Sequence, residues 1–238
     1  MDFFTIMIIV ISLVVFVFIV LIAFVMKKSK DVENAAFSET ERTEIRQKLL
    51  KKRKKLAPYK ADFYLEVTNA MTFQRTQAVT NLKISGLLYN KLQKPIVAFT
   101  RVERAMNAKG LLIAVTKKYV FRYEFLKQQI TFFCDDELLG NMNASGSIAN
   151  TDNKNIGQLK RTSETNSITL NNRVIADIQK APLYDSISNK TDVTAIFEEH
   201  NFGSSLLSLH NSPTTEEEKW LIALAIFEIG YYGISPVV

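Results

Sequence analysis

The residues of this sequence with the plainest binding chemistry are the basic ones between positions 48 and 55. Cations at this density are attracted to anionic phospholipids of a cytoplasmic membrane leaflet, at about 1 kcal/mol for each residue near the surface. The alternative is a solvated helical spacer whose charges only reinforce membrane topology, and the sequence leaves both interpretations open. The six residues are Lys48, Lys51, Lys52, Arg53, Lys54 and Lys55.

A second, smaller basic group lies far along the chain. Lys117, Lys118 and Arg122 fall in a region of alternating polar and apolar residues, which is typical of strands with one solvated face. We expect these three side chains on the surface of a folded domain, as further candidates for contact with lipid headgroups.

The sequence contains no motif that indicates catalysis or metal binding. The sequence has no His-Glu-x-x-His, Cys-x-x-Cys, Gly-x-Ser-x-Gly or Gly-rich phosphate loop. His200 and His210 are the only histidines, and neither has the spacing of a metal ligand pair. The single cysteine, Cys134, follows an apolar run that predicts a buried strand end. We therefore expect a non-enzymatic protein with no metal and no cofactor.

The net charge of +6 is confined to the first quarter of the chain. Residues 1–60 carry twelve Lys or Arg and six Asp or Glu, whereas residues 61–238 carry eighteen of each. A nucleic-acid-binding domain normally has a basic face of its own. The neutral main region therefore argues against nucleic acid as a partner.

An N-terminal transmembrane helix is predicted within residues 1–26. Residues 3–26 form 24 consecutive positions without a charge, proline or glycine, and about 20 apolar residues suffice to cross the hydrocarbon core. Only Met1 and Asp2 precede the run, unlike the basic start of a cleavable signal peptide. Because Lys27, Lys28 and Lys30 follow it, the positive-inside rule places the N-terminus outside and the rest of this single-pass chain in the cytoplasm.

Residues 27–60 are interpreted as a basic juxtamembrane stalk. Ser38 and Glu41 have the spacing of a capping box, which predicts a helix start, and Pro58 predicts its end. Acidic residues come first and basic residues last, as the helix macrodipole favours. Ile45, Leu49 and Leu56 form a narrow apolar stripe on this helix.

Residues 61–238 have the alternating pattern and turn residues of an antiparallel β domain. The run from Val67 to Val79 is not strand-like and is interpreted as a short helix. Asn171 and Asn172 predict a tight hairpin turn. About a dozen short strands favour a sandwich or a closed barrel. The predicted strands are Phe63–Val67, Leu82–Tyr89, Ile96–Arg101, Gly110–Val115, Tyr119–Phe125, Ile130–Asp135, Leu138–Asn143, Ser147–Ala149, Ile156–Arg161, Ser167–Leu170, Arg173–Ile178, Val193–Glu198 and Ser205–Leu209.

The C-terminal segment predicts a helix at about residues 214–230 that is enclosed by the strands. Ser212-Pro213 is a helix-start signal, and no residue from Trp220 to Phe227 is polar. A helix that is apolar on all sides must be buried, and this one is too short to cross a bilayer. A closed barrel around the helix would bury it on all sides without requiring it to cross a bilayer. The residues expected to pack inside it are Trp220, Leu221, Leu224, Phe227 and Glu228.

Glu228 is the acid that follows the apolar part of this predicted helix, and its environment has two interpretations. The carboxylate either reaches water at the barrel mouth or forms a buried ion pair, because burying a lone carboxylate is costly.

This order of elements resembles the tubby-like C-terminal superfamily, which includes phospholipid scramblases and LURP-one-related proteins. The resemblance covers roughly residues 61–234 and rests on the strand series, the glycine-bearing strands at Gly140 and Gly157, the segment Asn201-Phe202-Gly203 and the final helix. It implies a twelve-stranded antiparallel barrel around a hydrophobic helix. Scramblases carry acidic, calcium-binding residues after the segment that Asn201-Phe202-Gly203 resembles, whereas residues 204–211 contain none, so calcium-activated scrambling is not expected.

Together these features predict a membrane-anchored module that binds anionic lipid headgroups or a protein partner at the cytoplasmic surface. The alternative is a scramblase-like lipid transporter that uses the C-terminal helix as a second span.

Overall fold

The computed structural model describes residues 14–22, 37–77, 81–104, 109–126, 128–163, 165–180, 192–193 and 205–234. The chain divides into two compact units, Met1–Ser38 and Glu39–Val238.

The first unit contains part of the predicted membrane anchor. Residues 14–22 are helical, and their apolar side chains are exposed, with Val14 at 61% and Ile22 at 46%. Among the residues described, no helix combines the length and apolarity needed to cross a bilayer. The remainder of the span predicted at residues 3–26 lies outside the described residues, so the transmembrane anchor and its orientation stay predictions.

The second unit is mainly β, with thirteen antiparallel strands in one sheet and three α-helices among its described residues. The helices are α1 (Glu39–Arg53), α2 (Phe63–Glu66) and α3 (Thr215–Phe227). The strands are β1 (Met71–Gln77), β2 (Asn81–Tyr89), β3 (Pro95–Arg104), β4 (Lys109–Val115), β5 (Val120–Leu126), β6 (Gln129–Cys134), β7 (Glu137–Asn143), β8 (Ser147–Ala149), β9 (Asn155–Arg161), β10 (Thr165–Leu170), β11 (Arg173–Gln179), β12 (Asp192–Val193) and β13 (Leu207–Leu209).

The sheet is a meander from β1 to β11, with β12 beside β1 at one edge and β13 beside β11 at the other. The predicted antiparallel β architecture is therefore confirmed. Just outside the two edges, Thr68 and Ser205 form an isolated antiparallel bridge, and the Leu206 amide donates to the Val67 carbonyl at 2.8 Å. These two contacts bring the segments before β1 and β13 together at one place.

The secondary structure predicted for the first two elements of this domain was wrong. The predicted strand at 63–67 is helical up to Glu66, because Phe63 and Val67, both fully buried, have the i, i+4 spacing of one helix face. The predicted helix at 67–79 contains strand β1. In β1, the side chains of Met71 and Phe73 point to the core, and Arg75 lies on the same face of the strand. Because Arg75 is polar, it interrupted the alternation of apolar and polar residues by which a strand is recognised in the sequence.

The other predicted strands agree with the structure where it describes them. Most of the segment predicted at 193–198 lies outside the described residues. The hairpin at Asn171-Asn172 is confirmed, with φ of 50° and 61°. Asp135-Asp136 has φ of 51° and 69° and turns β6 into β7 in the same way, because Asp also tolerates positive φ.

The C-terminal helix is present and buried. Every side chain from Trp220 to Phe227 is at most 1% exposed, so the five residues predicted to pack in the interior do so, with Glu228 at 3%. The helix begins at Thr215, two residues after the predicted Ser212-Pro213 signal, because Thr214 and Glu217 form a reciprocal capping box. This Thr-x-x-Glu spacing was present in the sequence and was missed.

The helix runs along the inner face of the sheet, from one end of the strands to the other. Its N-terminal turn contacts the β10–β11 connection, where Asn171 Nδ2 donates to Glu217 at 3.1 Å. In a meander, the connections β2–β3, β4–β5, β6–β7 and β8–β9 lie at this same end, which we call the entry end. The opposite end, where the helix finishes in a π-helical turn at Glu228–Tyr232, is the exit end.

Helix α1 covers the outside of the sheet at β3 and β4. Strand β4 is buried on both faces: Leu112 and Ala114 face the core around α3, while Leu111, Ile113 and Val115 face away from it. Ile45 and Leu49 of α1 are 5% and 1% exposed, as the predicted apolar stripe requires. The compact unit therefore begins at Glu39, and the segment interpreted as a stalk contains a helix that packs on the domain.

We expect Glu217→Gln to lower the free energy of unfolding by about 1–2 kcal/mol at neutral pH, because Glu217 accepts charge-assisted bonds in a buried position. Glu217 is 2% exposed and also pairs with Arg173 at 2.9 Å. Burial alone would raise the pKa of Glu217, but hydrogen bonds from Thr214, Asn171 and Arg173 hold it below its usual value.

The pH dependence of this effect has a definite sign. Because the pKa of Glu217 is lower in the folded state, its contribution is complete above the unfolded pKa of about 4.3 and is lost as pH falls through the folded value. Urea unfolding at pH 7 and pH 3 should show the difference between wild type and variant shrinking in acid. The neighbouring exposed Glu216 provides the control, Glu216→Gln, which should change little. An equal effect of both substitutions would contradict the capping role.

Candidate functional site

Arginine side chains along one flank of α1 attach this helix to the sheet. Arg42 pairs with Glu124 of β5 at 3.2 Å, and Arg46 pairs with Asp136 of the β6–β7 turn at 2.7 Å. On the other flank, Glu41 pairs with Arg104 of β3 at 3.0 Å. These arginines already form ion pairs that hold α1 on the sheet, so they are poorly placed to bind a ligand.

The C-terminal end of α1 meets the β4–β5 turn at the entry end. Arg53 Nε donates to the Thr116 carbonyl at 3.1 Å. In return, Lys117 Nζ donates to the carbonyls of Arg53 and Lys54, both at 3.4 Å. Cations at a helix C-terminus are favoured by the macrodipole. These reciprocal contacts join two basic groups that are more than 60 residues apart in the chain.

The result is one basic surface, composed of lysines from the end of α1 and from the β4–β5 turn. All its side chains are exposed. Among the carboxylates of the described ranges, none lies within 4 Å of any of these ammonium groups. Its members are Lys48, Lys51, Lys52, Lys54, Lys55, Lys117 and Lys118.

Lys118 is the most constrained member of the basic surface. Its ammonium group lies 4.7 Å from the Tyr119 ring centroid and 4.9 Å from that of Tyr59, within cation–π range. The hydrogen bond with Tyr119 raises the pKa of Lys118, so it stays charged. Tyr59 in turn donates to Glu218 of α3, which ties the segment after α1 to the entry end.

Two of the nine predicted basic site residues have other roles. Arg53 is half-buried against Thr116, and Arg122 pairs with Glu124 while its guanidinium lies 3.6 Å from the Phe133 ring centroid. The other seven form the basic surface. Sequence reasoning missed Tyr59 and Tyr119, and aromatic residues beside the two lysine groups were the available signal.

Other sequence candidates show no comparable arrangement. Cys134 is 5% exposed, and burial, followed by the nearby Asp135 carboxylate, raises its pKa to about 12, which leaves a poor nucleophile. His210 pairs with Asp177 at 2.9 Å, and His200 lies outside the described residues. Within the described part of the chain, no group of three or more His, Cys, Asp or Glu could hold a metal ion.

Glu228 is buried at 3% exposure, which rules out the interpretation that its carboxylate reaches water at the mouth. Arg101, an inward-facing cation at the exit end, is 1% exposed and donates to the carbonyls of Tyr231 and Ile234 at 2.6 and 2.9 Å.

Comparisons of the chain with protein-family models, curated proteins and solved structures found no match.

Proposed function

We propose that this chain is a membrane-anchored, non-enzymatic module whose basic surface binds anionic phospholipid headgroups. The observation that carries the proposal is the junction of Arg53, Lys54 and Lys117, which places two lysine groups side by side. Either group alone would be a modest charge run on a solvated surface.

The charge of the basic surface is large enough to hold a domain on an anionic bilayer. Seven exposed lysines at about 1 kcal/mol each correspond to at most about 7 kcal/mol, before losses from screening and imperfect approach. A single transmembrane span at residues 3–26 would hold the domain near the membrane and raise its effective concentration there.

The proposed architecture is a closed, tubby-like barrel around α3. It is supported by the meander order, by the burial of α3 on every side, and by the contacts between the segments before β1 and β13. In this arrangement α3 is a structural element, and ligand contacts belong to the outer surface and the two ends.

Neutralising Lys51, Lys52, Lys54 and Lys55 with glutamine should weaken vesicle binding by roughly 1,000-fold, because four contributions of about 1 kcal/mol are removed. The measurement is co-sedimentation of the 39–238 fragment, which contains the whole second unit, with phosphatidylserine-containing vesicles. Circular dichroism checks that fragment and variant are folded.

A matched control variant carries the same change in charge elsewhere. Lys83, Lys154, Lys160 and Lys180 are exposed and lie outside the basic surface, so their replacement by glutamine should change binding little. Wild-type binding should also collapse near 1 M salt, where the Debye length is about 3 Å. Equal loss in both variants, or equal binding to pure phosphatidylcholine, would contradict the proposal and favour a protein partner.

A further inference from the structure

A cleft at the exit end lies beyond the last turn of the enclosed helix, away from the basic surface. Its volume is about 220 Å³, which about seven waters would fill at roughly 30 Å³ each. Phe125, Ile130 and Met142 form its apolar floor, from the ends of β5, β6 and β7. Clefts at the mouths of β structures are common ligand sites.

The helix end supplies an aromatic wall to this cleft. The π-helical turn at Glu228–Tyr232 places Tyr231 and Tyr232 against it, and the Tyr231 ring stacks on Phe125 with centroids 4.3 Å apart. π-Helical turns are rare and often occur at functional sites. Tyr232 is 37% exposed, so one side of the wall is accessible from solvent.

Arg161 is the one charged side chain that lines the cleft among the described residues. It lies two positions after the core residue Leu159 on β9, so it points to the inner face. Its guanidinium stacks on Tyr232, 3.8 Å from the ring centroid. In the described ranges no carboxylate lies within 4 Å of Arg161, unlike Arg42, Arg46, Arg101 and Arg122, each of which has an acidic partner.

A second polar group lies on the strand beside Arg161 and lacks a partner, although it is not among the residues that line the cleft. Asn166 is the cross-strand neighbour of Arg161 on β10 and is 1% exposed. Within the described part of the chain, neither its amide nitrogen nor its oxygen has a hydrogen-bond partner. Buried amides are nearly always paired in folded proteins. An amide donor and a guanidinium on adjacent strands suit the oxygens of a carboxylate or phosphate.

We propose that the exit-end cleft binds a small anion with an aromatic or short apolar body, of about the size of benzoate. Its charged group pairs with Arg161 and accepts a hydrogen bond from the Asn166 amide after that buried side chain rotates towards the cleft, and its body packs between the apolar floor and Tyr231. The site is independent of the basic surface, since the two lie at opposite ends of the sheet.

Binding of 4-fluorobenzoate to the full-length chain in nanodiscs can be followed by fluorine NMR. We expect saturable binding to the wild-type chain and none of comparable strength for the uncharged 4-fluorobenzyl alcohol. Phenyl phosphate should displace 4-fluorobenzoate, whereas inorganic phosphate, which lacks the apolar body, should not. Arg161→Gln should weaken binding by about 10- to 100-fold, as expected for loss of a charge-assisted pair, and Arg161→Lys should retain most of it.

The adjacent residue provides a matched control, because Lys160 is exposed and points to the outer face. Lys160→Gln removes the same charge and should leave binding unchanged. Asn166→Leu should melt at a higher temperature without ligand, because it removes an unpaired buried amide, yet bind 4-fluorobenzoate more weakly. The proposal would be overturned if 4-fluorobenzoate did not bind saturably, if the neutral alcohol bound equally well, or if Arg161→Gln bound like the wild type. Undiminished binding by Asn166→Leu would show that Asn166 is not part of the site.

Discussion

Replacing Arg101 with methionine is expected to lower the free energy of unfolding by about 3–5 kcal/mol, as when one partner of a buried ion pair is removed. Arg101 is 1% exposed and lies against the end of the C-terminal helix. Its Nε donates to Glu103 at 2.9 Å, and its Nη1 donates to the carbonyls of Tyr231 and Ile234. Methionine would leave these three acceptors without their donor.

The position of Arg101 explains why its loss should be so costly. The last carbonyls of a helix have no partner within the helix, and this helix ends inside the protein. The guanidinium also stacks on Tyr231, 4.2 Å from the ring centroid. Arg101 therefore stabilises both the end of the C-terminal helix, at Tyr231, and the backbone that follows it, at Ile234.

A double variant separates the charge from the packing in this cluster. Arg101→Met together with Glu103→Leu leaves no unpaired carboxylate and should recover at least about 1 kcal/mol of the single variant's loss. Lys83→Met, at an exposed position on β2, should have almost no effect. Urea unfolding of the full-length chain in mild detergent, followed by circular dichroism, measures all four proteins. A loss below about 1 kcal/mol for Arg101→Met would contradict the assigned role.

The second large effect is expected from Trp220→Ala, which should cost about 3–5 kcal/mol. Trp220 is 1% exposed near the start of α3, and its ring lies 5.2 Å from that of Phe132. Gly140, the cross-strand partner of Phe132, also lies against the indole: an added Cβ there would come to 3.0 Å from the ring and to 2.1 Å from the Ala149 carbonyl oxygen. With φ of 150°, Gly140 also has a backbone conformation that other residues rarely adopt.

A conservative variant distinguishes the volume of Trp220 from its polar group. In the described part of the chain, the indole Nε1 has no hydrogen-bond acceptor. Trp220→Phe should therefore lose only part of the packing and cost about half as much as the alanine variant. The free energy of unfolding is again measured by circular dichroism, because the chain has only this one tryptophan. Equal effects of phenylalanine and alanine would show that indole size is not what fills the site.

Much of the architecture could be determined from the sequence alone. Strand positions follow from alternation and turn residues, as at Asn171-Asn172, because side chains on a strand have a period of two. Enclosure of the C-terminal helix follows from its lack of any polar face between Trp220 and Phe227. Both are local properties of the chain, so no knowledge of distant contacts is required.

Two positions were hard to interpret because the fold turns a polar side chain inward. Arg75 points inward on β1, so the strand lacked a clean apolar alternation. Glu217 is buried because Asn171 and Arg173, on a hairpin more than 40 residues earlier, supply its hydrogen bonds. For Glu217, the partners that make the buried position acceptable are remote in sequence.

The candidate binding sites depended on tertiary structure most of all. The sequence determined which residues are cationic, but it could not distinguish Arg53, which docks α1 on Thr116, from Lys54, which remains exposed. That distinction arises because strand β4 is apolar on both faces and its outer face needs a cover, which α1 provides. Packing α1 there brings Lys54 beside Lys117 and leaves the lysines outward, whereas the π-helical turn after α3 brings Tyr232 to Arg161. The residue types and their periodicity determine the helices and strands. Burial of the apolar faces of these elements then determines which charged side chains lie next to each other.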